Sequence, residues 1–261
     1  MLKNLDFKHG GNIYDFAEKL NLSLSDIIDA SASIVPFSIP NFLKDELCIQ
    51  IKNESFRYYP ERNLNKLKET IGSFHDIHPD CIMPGNGASE IITWVGWEAA
   101  KYKVNCLPAP GFVDYERTLN CWQANYFFEK LPKNNFRDIK QTFPLQPKCD
   151  VLWITNPHNP TGQLWDRKSL EKLIDNHKLV ICDEAFLSLT PNGENESLIP
   201  LTKRFDNLIV IRSLTKLFSI PGLRLGYMIS NSKICQNLNN LRDPWACKLT
   251  CNSSGNKIIK Q

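Results

Sequence analysis

The chain has 261 residues, enough for one large hydrophobic core or for one full domain with part of a second. Its 42% apolar and 23% charged residues are those of an ordinary soluble globular protein. A net charge of +3 without a basic stripe or interleaved aromatics gives no sign of a nucleic-acid surface, and no apolar run is long enough to span a membrane.

From the N-terminus, MLKNLDFKHGG lacks the apolar centre of a signal peptide, so a cytoplasmic location is expected. The first fifty residues read as helices and a proline-containing loop (SIVPFSIP), without a strand ladder. SEIITWVGWEAAKY (89–102) has apolar residues at helical spacing after a glycine turn. KVNCLPAP reads as a strand stopped by proline, FVDYERTLN as a helix and QANYFFEK as a strand. CDVLWITNPHNPTG is a strand ending in a Pro/Gly loop, and DRKSLEKLIDNH is a helix with Asp166 at its cap. KLVICDEAF and NLIVIRSL are continuous apolar runs of strand length, and LRLGYMIS adds a strand that can run antiparallel. Such runs, separated by helices, predict an α/β fold around a largely parallel sheet buried on both faces.

Nine cysteines raise the question of disulfides or metal. Cys48, Cys81, Cys106, Cys121, Cys149 and Cys182 form no close pair, and Cys247 and Cys251 stand together without a nearby histidine. Several lie in apolar runs, so they are expected to be reduced core residues with no metal site.

The polar and special residues collect directly after apolar runs, where open α/β sheets bind ligands. In PGNGASE (84–90), glycines lead into a helix whose free N–H groups suit a phosphate; a tight strand-to-helix turn with Ser89 as a local cap uses the same residues. NPHNPTG (156–162) is a stiffened loop able to hold an asparagine amide in one direction. In DEAF (183–186), Asp183 is either a partly desolvated carboxylate needing a partner or a helix cap. Lys216, in RSLTKLFSIPGLRLGY, follows a buried strand, where a lysine of lowered pKa becomes a nucleophilic amine.

Taken together, these stretches resemble the fold-type I pyridoxal 5′-phosphate enzymes of the class I/II aminotransferase group, over roughly residues 9–245. The resemblance implies a three-layer α/β/α large domain with an incomplete small domain. Residues 1–48 would form an N-terminal arm and part of the small domain, and residues 49–230 the cofactor-binding large domain. Residues 231–261 would start an interdomain helix and end in an atypical, truncated C-terminus. It implies that Lys216 holds the cofactor aldehyde covalently and that Asp183 pairs with the protonated pyridine nitrogen. Asn159 would bond the phenolic oxygen of the ring and Phe112 would stack on its face. Ala88, Ser89, Ser213 and Arg224 would bind the cofactor phosphate.

Phe186 stands where many aminotransferases have a tyrosine that also donates to the phenolic oxygen. A phenylalanine there, with HGGN (9–12), DASASIVP (29–36) and RYYPER (57–62), resembles a narrower group, the L-threonine-O-3-phosphate decarboxylases of cobalamin side-chain synthesis. In that reading His9, Gly10 and Ser33 serve the substrate with Asn159, and Tyr59 reaches the cofactor phosphate of a second subunit in a homodimer. Ser33 and Val35 stand where that group usually has asparagines; Ser33 can still donate one side-chain hydrogen bond and Val35 cannot. Relatives would continue beyond LRDPW into a small domain that supplies an arginine clamping the substrate carboxylate, and ACKLTCNSSGNKIIKQ does not resemble the family there. The functions this resemblance leaves open are decarboxylation of threonine phosphate, histidinol-phosphate-type aminotransfer, and a non-catalytic remnant that binds pyridoxal phosphate.

Overall fold

A computed structural model of the chain describes residues 10–132, 138, 140–247, 255–256 and 258–259. Helices α1 (Ile13–Leu20), α2 (Asn41–Lys52) and α3 (Asn65–His75) precede the first strand, β1 (Ile82–Asn86). Next come α4 (Ala88–Ala99), β2 (Asn105–Ala109), α5 (Val113–Cys121), β3 (Tyr126–Lys130) and β4 (Lys140–Gln141). They are followed by β5 (Val151–Thr155), β6 (Leu164–Trp165), α6 (Arg167–Ile174) and β7 (Leu179–Asp183). β8 (Leu208–Ser213), β9 (Leu225–Ile229) and α7 (Ser232–Leu241) complete the order.

Seven strands form one sheet in the order β1-β9-β8-β7-β5-β2-β3. The β3, β2, β5, β7 and β8 neighbours pair in parallel, while β9 runs antiparallel to both β8 and β1. Alternation along the strands makes two cores. Leu152, Val180 and Val210 face α3 and α6 through Leu67, Ile71, Leu170 and Leu173. Trp153, Ile181 and Ile211 face the other way, onto Ile91 and Val95 of α4, Leu119 of α5 and Leu238 of α7. That is why Leu179–Cys182 is apolar without a break: neither face of β7 meets water, and the result is a three-layer α/β fold.

Local chemistry sets the ends. The Asp166 side chain accepts from the Ser169 N–H and caps α6. The strand β1, IMPGN, is not visible as a strand in the sequence because it contains Pro84 and Gly85; it lies at a sheet edge, where proline is tolerated. Four cysteines correct the expectation of a wholly buried set, Cys81 and Cys149 being only partly buried. Cys48 and Cys121 are exposed, since α2 turns Leu43 and Glu46 inward and α5 turns Tyr115, Thr118 and Leu119 inward. Cys106, Cys182, Cys235 and Cys247 are buried, and Cys251 lies outside the described residues. No helix among the described residues is long and apolar enough to cross a membrane.

Candidate active site

The parallel strands β5, β7 and β8 end together, and the segments that follow them open onto a cavity of about 560 Å³, a size suited to a small organic ligand. Lys216, Asp183 and Asn159 line it, and so do Ser213, Arg224 and Phe112. Ala88 and Ser89 contribute the start of α4, and Gly10 and Ser33 close the side nearest the N-terminus. His9 lies outside the described residues. Tyr59 is elsewhere: it is 78% exposed, away from the cavity wall, with its ring stacked 4.5 Å from that of Trp245.

Asp183, the last residue of β7, is buried. Its Oδ1 accepts from the Ala185 N–H at 2.9 Å and its Oδ2 from the Tyr115 hydroxyl at 2.8 Å. Burial raises its pKa, while those two donors and the nearby Lys216 charge pull the other way. A carboxylate with two acceptor positions on each oxygen therefore keeps capacity for a cationic or donor partner in the cavity. Tyr115 and Thr155 were not singled out by the sequence. The one available signal was a polar threonine closing the otherwise apolar strand VLWIT.

Lys216 is half-buried. Burial and the Arg224 charge lower its pKa, against the opposing pull of Asp183. Its Nζ lies 5.6 Å from the centre of the Phe186 ring. The N-terminal loop is tied to the same segment: the Val35 N–H donates to the Lys216 carbonyl at 3.3 Å, and the Ser219 hydroxyl donates to the Val35 carbonyl at 2.6 Å. Val35 thus ties the loop to the lysine segment through its backbone N–H and carbonyl.

The start of α4 has the features of an anion site. Its cap residue is Gly87, not Ser89, and no side chain caps it, leaving the first N–H groups of a twelve-residue helix to a ligand. Gly87 has φ +79°, and a Cβ there would lie 2.5 Å from Arg224 Nη2. Glycine therefore lets the guanidinium rest against the helix start. Gly226 is equally constrained, because its Cβ would meet the Ala88 nitrogen at 2.8 Å.

In the loop after β5 the two asparagines divide their work. The Asn156 side chain accepts from the Trp165 N–H at 2.8 Å and donates to the Trp165 carbonyl at 3.1 Å, which fixes the loop. Asn159 is left beside the cavity. Phe112 meets the edge of Tyr115, with ring centres 5.5 Å apart.

A sheet of this topology, with a half-buried lysine, a buried aspartate and a helix start free of a side-chain cap at its strand ends, is matched by a known family. The chain belongs to the aminotransferase class I and II family, whose model matches residues 13–258. It is 31% identical over 246 residues to the threonine-phosphate decarboxylase of Salmonella typhimurium, covering 91% of this chain and 66% of that protein. It is 28% identical to histidinol-phosphate aminotransferase 2 of Haemophilus influenzae, covering 87% of this chain and 62% of that protein. The crystal structure of the histidinol-phosphate aminotransferase from Clostridium acetobutylicum superimposes with a TM-score of 0.77 at 26% identity, covering 90% of this chain and 70% of that one. The chain therefore spans about two thirds of the length of these proteins.

Proposed function

We propose that the chain binds pyridoxal 5′-phosphate in this cavity and acts on a phosphorylated amino acid, decarboxylating L-threonine O-3-phosphate to aminopropanol phosphate. The observation that carries this reading is one cavity that joins Lys216, the buried Asp183 and the uncapped start of α4 beside Arg224. These residues fit the cofactor: a lysine of lowered pKa for its aldehyde, a carboxylate with spare acceptor positions for its ring nitrogen, and N–H groups with a guanidinium for its phosphate. When bound, the pyridine ring draws electrons from the bonds at the substrate α-carbon.

The chain's own residues then have distinct tasks. Lys216 holds the aldehyde carbon and moves protons at the α-carbon. Asp183 keeps the ring nitrogen protonated, Asn159 donates to the phenolic oxygen, and Phe112 covers one ring face. Ala88, Ser89, Ser213 and Arg224 hold the cofactor phosphate. Gly10, with His9, serves the substrate phosphate, and Ser33 donates a hydrogen bond to the substrate. Phe186 provides no hydroxyl, so Asn159 is the donor to the phenolic oxygen.

The similarity to a threonine-phosphate decarboxylase supports this substrate, while the similarity to histidinol-phosphate aminotransferases supports amino transfer as the second reading. We also place the chain in a cytoplasmic homodimer. The eight described cysteines are all free, as in a reducing compartment, and Phe56, Tyr58 and Tyr59 are exposed together. Tyr59 would then reach a neighbour's cofactor.

An absorbance spectrum of the purified chain with pyridoxal phosphate, before and after L-threonine O-3-phosphate, tests the reading. A lysine-bound band that shifts with this substrate, with release of carbon dioxide, is expected. Amino transfer to 2-oxoglutarate without carbon dioxide release would favour the second reading. A band that ignores every amino acid would leave a non-catalytic binding protein.

A further inference from the structure

The Asp183 carboxylate does not stand alone in its buried setting. Tyr115 approaches from α5, with its hydroxyl 2.8 Å from Asp183 Oδ2 and 3.0 Å from Thr155 Oγ1. Thr155 lies directly opposite Asp183 in the β5–β7 register. The direction of these bonds follows from the proton inventory. An ionised carboxylate only accepts, and a phenol has one proton, so Tyr115 donates to Asp183. Its oxygen then accepts from the Thr155 hydroxyl. The Ala185 N–H holds the other oxygen at 2.9 Å. The carboxylate is thus gripped at both oxygens, and its plane is fixed by the end of one strand, its neighbour and a helix.

The phenol is itself immobile. Tyr115 is 4% exposed, and its ring lies 5.1 Å from that of Trp153 on β5 and edge-on to Phe112. The side chain therefore supports two cavity residues at once: the carboxylate and the ring that faces the ligand. A phenol buried this deeply with a fixed acceptor and a fixed donor is costly unless both bonds are kept.

We propose that Tyr115, oriented by the Thr155 hydroxyl, is a positioning residue that keeps the Asp183 carboxylate ionised and aims its spare acceptor position at the cofactor ring nitrogen. This rests on the cofactor reading given above for Asp183. Hydrogen bonds to a charged carboxylate are stronger than neutral ones, and their removal from a buried site favours the protonated acid. A protonated Asp183 cannot stabilise a protonated pyridine nitrogen, so the donor chain from Thr155 through Tyr115 acts on the ring by way of Asp183.

The test uses the full chain in two states. Without cofactor, the Asp183 carboxyl carbon is titrated by NMR in aspartate-labelled protein, with Asp183→Asn identifying the signal. In Tyr115→Phe the carboxyl is expected to titrate at higher pH than in the native chain, and in Thr155→Val to move the same way by less. Should Tyr115→Phe not fold, Thr155→Val carries the measurement. An unmoved titration overturns the inference.

With pyridoxal phosphate carrying a heavy-nitrogen label in its ring, the ring nitrogen is expected to lose its proton at lower pH in Tyr115→Phe than in the native chain. Asp183→Asn sets the limit of that effect. If Asp183→Asn alters the ring nitrogen and Tyr115→Phe leaves it as in the native chain, the positioning role is overturned. If Asp183→Asn also leaves it unchanged, Asp183 does not pair with the ring. The cofactor reading of that residue then falls, and this inference with it.

Discussion

The Arg212 guanidinium lies 2.8 Å from the Glu184 carboxylate, with both side chains sealed from solvent. Glu184 follows Asp183 and Arg212 precedes Ser213, so the pair joins the ends of β7 and β8 that carry two cavity residues. Burial pushes Glu184 toward its neutral form, while Arg212, the Leu198 N–H and the Ser197 hydroxyl pull it back. Arg212 also bonds both oxygens of Glu194, at 2.8 and 2.9 Å.

Arg212→Met removes the charged partner and leaves a buried Glu184 held only by the Leu198 N–H and the Ser197 hydroxyl. Breaking a buried pair from one side costs about 3–5 kcal/mol, so urea unfolding of the variant should show a loss of that order. Adding Glu184→Gln should recover part of it by removing the stranded charge. A loss under about 1 kcal/mol, the range of an exposed pair, would show that the ends of β7 and β8 are held by something else.

A second network member makes stability depend on acid. The His75 Nε2 lies 2.7 Å from the Tyr227 hydroxyl, and burial, with the Arg212 charge, lowers its pKa to about 4. In the unfolded chain a histidine takes up its proton near its ordinary value of 6.5, so acid favours unfolding as pH falls from that value to about 4. Stability is fully present above the upper end of that window. The penalty reaches roughly 3 kcal/mol at its lower end. His75→Gln should flatten the slope of unfolding free energy against pH in this window relative to the native chain. Equal slopes would mean that the folded ring protonates as freely as the unfolded one.

Gly87 tests the proposed anion site. Its φ of 79° and ψ of 165° belong to a region open almost only to glycine, and a Cβ would press on the Arg224 guanidinium. Gly87→Ala should cost about 1–3 kcal/mol of stability. It should also weaken pyridoxal phosphate binding by roughly tenfold, equivalent to about 1.4 kcal/mol, by displacing Arg224. Titration of the cofactor band measures the second effect, and native affinity in a folded variant would remove Arg224 from the phosphate site.

How much of this was legible in the sequence depended on the range of the interaction. The buried strands showed themselves because both faces of β5, β7 and β8 need apolar residues, and Asp166 showed itself because a helix cap acts within three residues. Lys216, Asp183 and Asn159 could be picked out because each directly follows such a run. The strand β1 was hidden because its pairing with β9 links residues such as Ile82 and Ile229, and only its edge position admits Pro84. Tyr115, 68 residues before Asp183, and Glu184, 28 before Arg212, carry no local mark of their partners. Their roles exist only once the sheet has formed.

Lys216 gives the last prediction. A lysine captures an aldehyde only as the neutral amine, and burial with the Arg224 charge lowers its pKa below the ordinary 10.5. The neutral form is therefore available at lower pH than for a surface lysine, and the pH midpoint for formation of the lysine-bound cofactor band should fall below the ordinary value. Arg224→Met removes a like charge and should move that midpoint upward, apart from any loss of phosphate affinity, which is read from the cofactor concentration at half-saturation. Lys216→Ala should abolish the band while equilibrium dialysis still detects weak cofactor retention through the α4 site. An unchanged visible spectrum in Lys216→Ala would assign the cofactor's aldehyde to another amine, and with it the proton transfers at the substrate α-carbon.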